Sequence, residues 1–241
     1  MVTKGLWNTW VKNWQWVTDG LAAKGASVRR PKIAPPVGDR EQVMDRLQSV
    51  WVPPDFVEVM ANFSAKVTLT WYLHTDDADV AEADLPPADY DEVGGSDAPA
   101  LWDVATVAKL KRQLDQWVAS AFPDTGDQWQ RSWHNKVPFL EAPNGDLLAF
   151  DLSGGTAQCP VVYLSHEGDT DVHGRRLGLD FADFMTRWSN LGCPGPEFYT
   201  LEPFYDRRER RLRDSGAVVE KWKQWVGEPG RSKRRAGPAG S

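Results

Sequence analysis

Cysteine is scarce: Cys159 and Cys193 are the only two in 241 residues. Two thiols cannot build the disulfide framework that staples small secreted domains, so both are expected to be reduced. No stretch approaches the ~18 apolar residues that a membrane-spanning helix needs. Near the N-terminus Trp7, Trp10, Trp14 and Trp16 are interrupted by Asn8, Lys12, Asn13 and Gln15, which breaks the apolar run a secretory signal requires. A cytoplasmic protein without a membrane partner is the expectation. Lysine and arginine are also missing from the whole span between Lys66 and Lys109. Phosphate contacts need clustered cations, so this body is not expected to take nucleic acid as a direct ligand.

Tryptophan, by contrast, is abundant. The chain has 13, within a composition that is 41% hydrophobic and 26% charged. Such a chain can fill a substantial core, and some indoles are available for a binding surface. Charge is unevenly spread. Residues 204–241 carry a local +6, leaving −12 for the remainder of a chain whose total is −6. An acidic body with a basic tail is the reading.

Periodicity organises the chain. Leu6, Trp10, Trp14, Val17 and Leu21 recur at helical spacing over residues 4–23. Pro31, Pro35 and Pro36 then suggest a linker, so residues 1–38 read as an added helical arm, its tryptophan stripe serving either core or self-association or else a partner surface. A compact domain over 39–203 is expected to open with Asp39 as a helix cap and a second helix after Pro53-Pro54. Val67, Leu69 and Trp71 alternate with Thr68, Thr70 and Tyr72 as a strand. A helix follows at about 102–120. Val137–Leu140, a Pro143-Asn144-Gly145 turn, Asp146–Leu152 and Cys159–Ser165 read as consecutive strands, with a further edge strand at Arg175–Leu179. Asp180 caps a helix with Phe181, Phe184, Met185 and Trp188 on one side. Residues 204–229 read as a charged helix interrupted near Ser215-Gly216, with the Arg207–Arg213 run as a solvated face, and 230–241 as a disordered tail.

The insertion at 74–100 stands apart. It carries Asp76, Asp77, Asp79, Glu82, Asp84, Asp89, Asp91, Glu92 and Asp97, together with Pro86, Pro87, Gly94 and Gly95. It reads as a long acidic loop, either a solvated linker or a partner-binding segment that attracts a basic surface over distance.

From Val137 to Trp188 the chain runs through VPFLEAPNGDLLAFDL, then PVVYLSHEGD, then LDFADFMTRW. This series resembles the SUKH superfamily, which includes fungal cell-wall-synthesis regulators and bacterial immunity proteins. The resemblance is carried by Pro138, Asn144, Gly145, Asp146, Asp151, Val161, Val162, His166, Phe181 and Phe184, with Val52-Pro53-Pro54-Asp55-Phe56 upstream. It implies an α+β fold: a mainly antiparallel sheet of about four to six strands flanked by helices, here with an added N-terminal and an added C-terminal helix. It further implies a protein that binds other proteins, often nuclease or deaminase toxin domains, without catalytic residues or cofactor. A scaffold or regulatory module binding a cellular protein is the alternative expectation.

The run from His166 through Glu167, Asp169 and Asp171 to His173 offers metal-ligand types, but at a spacing that fits neither a zinc signature nor a calcium loop, so no metal site is expected. Ser165 and His166 are neighbours at a strand end, where side chains point apart, and no Gly-x-Ser-x-Gly elbow occurs. Ser153-Gly154-Gly155-Thr156 lacks the lysine and helix of a phosphate-binding loop. Asp146 and Asp151 are expected to serve structure, Asp146 at its turn and Asp151 on nearby backbone amides.

Overall fold

The computed structural model describes residues 1–73, 95, 100–157, 159–166 and 171–228. The nine acidic residues proposed to bind a partner, the 167–170 stretch and the 230–241 tail lie outside the described residues.

The fold is α+β, with helices around antiparallel strands. Thr3 accepts from Leu6 N (3.2 Å) and starts α1 (Lys4–Ala23). β1 (Ser27–Ile33) and β2 (Lys66–Tyr72) pair antiparallel, and β3 (Trp102–Asp103) joins the far side of β2. Between β1 and β2 lie α2 (Arg40–Arg46), capped by Asp39, and α3 (Pro54–Asn62), which has its proline in the first turn. After β3 come α4 (Val104–Ala121) and α5 (Gln128–Trp133). The largest ladder follows: β4 (Lys136–Glu141), β5 (Leu147–Asp151), β6 (Val161–Leu164) and β7 (Arg176–Gly178), in that order. α6 (Phe181–Asn190), capped by Asp180, packs back on it. Short α7 (Phe198–Leu201), a 3₁₀ turn, the hairpin β8 (Tyr205–Asp206) and β9 (Arg211–Leu212), and α8 (Ala217–Gly227) close the described chain.

Aromatic rings fill the middle. Phe56 meets Phe181 at 4.7 Å between centroids, Phe150 at 5.2 Å and Phe139 at 5.7 Å. Phe181 and Phe184, expected from sequence to open a helix, both face this core, and Pro138 sits at a register shift in β4.

Three sequence expectations are corrected. Residues 1–38 are not an arm. Trp10 and Trp14 are fully buried in the same core as Phe181, and their indole N–H groups donate to Thr186 Oγ1 (3.1 Å) and Ser189 Oγ (3.0 Å) of α6. A buried indole needs such an acceptor, which ties α1 to α6. The 25–38 stretch is not a linker, because Ser27–Ile33 forms β1. Its polar, Pro31-containing sequence hid an edge strand, and the pairing shifts register between Arg29 and Lys32, where a missing N–H does least harm. Residues 204–229 are not one helix. Asp206 accepts from Arg208 N (2.9 Å) and Glu209 N (3.0 Å), and Arg210 adopts φ 55°, which turns the arginine run into the β8–β9 hairpin. Among the described residues of this stretch the α-helix is Ala217–Gly227. No helix among the described residues is long and apolar enough to cross a membrane.

Candidate functional site

The β4–β5 turn and the end of β6 meet around one buried carboxylate. Gly145, at φ 93°, gives the turn a backbone that other residues resist, and its N–H closes on Ala142 O (2.9 Å). Asn144 holds the next residue twice: Oδ1 accepts from Asp146 N (3.1 Å) and Nδ2 donates to Asp146 Oδ2 (2.7 Å). The β5–β6 register places Leu147 opposite Leu164, so Asp146 comes beside the residues just past β6. His166 donates to Asp146 Oδ1 from its backbone N–H (2.8 Å), and its ring Nδ1 contacts the same oxygen at 2.8 Å. The Tyr163 hydroxyl donates to Asp146 Oδ2 and accepts from Phe198 N (3.1 Å).

An ionised carboxylate offers only acceptors, and this one meets a phenol, an amide, a backbone N–H and an imidazole N–H. Burial, followed by the hydrogen bond and charge of Asp146, pushes the Tyr163 phenol far above its usual range and keeps it a donor. The contact with Asp146 fixes a proton of the His166 ring on Nδ1 and leaves Nε2 turned away from the carboxylate.

Next to this cluster lies an open groove of about 390 Å³. Leu110, Gln113, Leu114 and Trp117 of α4 form one wall; Glu141, Gly145 and Leu147 of the hairpin form the other, with His166 at the end. Trp117 is 37% exposed and the His166 side chain 40%, in contrast with the nearly closed Asp146 at 6%. A small apolar cluster supports the groove from below, with Leu114, Val118, Trp133, Ala149, Val162 and Leu164 buried together. Trp117 packs edge-on against Phe122 and Trp133 at 5.1 and 4.6 Å.

The other candidates take structural places. Asp151 pairs with the buried Lys136 (3.0 Å) and accepts from Ser153 N (2.9 Å). Burial acts to raise its carboxyl, but Lys136 and the Ser153 bonds outweigh it and hold the carboxyl below the usual range. Ser165 is buried and His166 exposed, both just past the end of β6, and the two side chains do not act together. Ser153 to Thr156 is an exposed turn following β5. His173 lies between Trp129 (4.6 Å) and Trp133 (3.9 Å), and burial lowers its pKa to about 4. Among the described residues no group of three or more His, Cys, Asp or Glu is placed to hold a metal ion.

Sequence reading singled out Gly145, Asp146 and His166 but did not join His166 to Asp146, because the partners are twenty residues apart and meet only through strand register. Trp117 reads from sequence as one member of the apolar stripe of α4, yet it stands 37% exposed beside the groove, and Glu141 carries no local signal. No family model, no curated protein and no solved structure matches the chain.

Proposed function

We propose that this chain is an immunity-type protein that binds a cognate protein toxin of the nuclease or deaminase class and neutralises it by occlusion. The observation that carries this reading is the ordered SUKH-like series from Val137 to Trp188, whose stretches run in order through β4, β5, β6 and α6. In such a fold the ladder and its turn build a docking surface.

Electrostatics support the choice of target. Proteins that act on nucleic acid bind phosphate through basic clefts. The nine carboxylates between Asp76 and Asp97, with no lysine or arginine among them, suit occupation of such a cleft. Long-range attraction between the two would also speed encounter.

The test is co-purification with the product of the adjacent gene across a range of salt, joined to a protection assay in cells expressing that product. Formation of a stoichiometric complex and rescue of growth are expected. A neighbour that neither binds nor is toxic refutes the reading, and capture of a non-toxic cellular protein would make the chain a scaffold.

A further inference from the structure

We propose that the groove between α4 and the β4–β5 hairpin is a binding site for a guanidinium group, the side chain of an arginine presented by a protein partner. As a statement about a protein partner it rests on the function proposed above; as a statement about ligand chemistry it stands on the groove itself.

The polar groups of the groove are the Glu141 carboxylate, the Gln113 amide, which both accepts and donates, and the imidazole of His166. Glu141 contributes carboxylate oxygens, which only accept. His166 contributes its Nε2 edge, the other ring nitrogen being committed to Asp146 at 2.8 Å. No lysine or arginine lines the groove, so an incoming cation meets no competing or repelling charge there. The floor and walls are Leu110, Leu114, Leu147 and the half-exposed indole of Trp117. This is what an arginine side chain needs: apolar surface for its three methylenes, an aromatic ring for the flat cation and acceptors for its fork of N–H groups. An ammonium group would use the charge but not the fork, and an anion would face the Glu141 carboxylate. The supports are rigid where the ligand requires it. Asp146 clamps His166 through both backbone and ring, and Trp117 is wedged against Phe122 and Trp133. The acidic character of the chain outside its last 38 residues favours the same sign of partner.

The test uses the whole chain and two small probes, N-acetyl-arginine methylamide and its uncharged citrulline counterpart, titrated while the indole N–H and imidazole resonances are followed by NMR. The arginine probe is expected to shift the Trp117 and His166 signals and to bind at least about fivefold more tightly than citrulline. Glu141→Gln, an exposed and fold-neutral change, should abolish that preference while leaving the spectrum otherwise intact. Trp117→Ala should weaken the arginine probe about tenfold. Equal binding of the two probes, shifts confined to other tryptophans, or a preference that survives Glu141→Gln would overturn the proposal. The two levels separate cleanly: a toxin complex indifferent to Glu141→Gln and Trp117→Ala removes the partner role of the groove but not the proposed function. Arginine binding in the groove without any captured toxin removes the proposed function but not the site.

Discussion

Replacing Asp146 by alanine is the most informative single perturbation of this fold. The side chain is 6% exposed and gathers donors from three places in the chain. Without it the buried Tyr163 hydroxyl loses its acceptor, and the His166 backbone N–H is left without its partner. A hydrogen bond to a charged acceptor contributes about 1.5–3 kcal/mol, and a stranded buried donor costs about 1–3 kcal/mol. The His166 ring is reachable by water and the Asn144 amide lies on an exposed turn, so those bonds add little. Asp146→Ala should therefore cost roughly 3–5 kcal/mol, a large part of the ~5–15 kcal/mol typical of a domain. Tyr163→Phe removes one donor to Asp146 and the acceptor for Phe198 N, for about 1–3 kcal/mol. Because both changes break the same bond, the double variant should fall short of the sum by at least about 1 kcal/mol. Urea unfolding followed by tryptophan fluorescence, with m values held equal across the set, measures all three. A loss below about 1 kcal/mol for Asp146→Ala, or strict additivity, would refute the view that this carboxylate organises the hairpin.

Other predictions follow from burial and close approach. His173, with a folded pKa of about 4 against 6.5, resists protonation while the unfolded chain does not, so stability should be full above pH 6.5 and fall as pH drops towards 4, by about 2 kcal/mol once solvent screening is allowed for. His173→Leu should flatten that slope in urea titrations at stepped pH. Gly20→Ala would place a Cβ 2.4 Å from Val226 O, where α1 meets α8. Although alanine favours helix by about 1 kcal/mol, a net loss of about 1–3 kcal/mol is expected in thermal unfolding. Lys136→Ala should cost more than Lys136→Met, which keeps the buried stem beside a partly hydrated Asp151; in both, the Asp151 carboxyl should titrate higher by NMR because burial is no longer outweighed by Lys136.

The legible parts of the fold were those where one physical signal dominates. α1, α4 and α6 show apolar residues at helical spacing, and β5 with β6 announces itself through the Asn-Gly turn and the run from Val161 to Leu164. β1 was illegible because an edge strand with mostly exposed side chains carries no alternation. The arginine run misled because charge density resembles a solvated helix, whereas the deciding interactions are two backbone N–H groups on Asp206. The position of α1 in the core depends on indole acceptors about 175 residues downstream, which no local pattern announces. The groove was hidden for the same reason. Its walls come from α4, from the hairpin and from the residue after β6, and only tertiary packing makes them neighbours.

The most direct trial of the proposed function is the association rate of the chain with the purified product of its neighbouring gene, measured by stopped flow at low and high salt. The account predicts a stoichiometric complex whose on-rate rises steeply as salt falls, with most of that rise lost when Asp76, Asp77, Asp79, Glu82, Asp84, Asp89, Asp91, Glu92 and Asp97 are neutralised. An on-rate indifferent to salt and to those substitutions, or no complex at all, would contradict it.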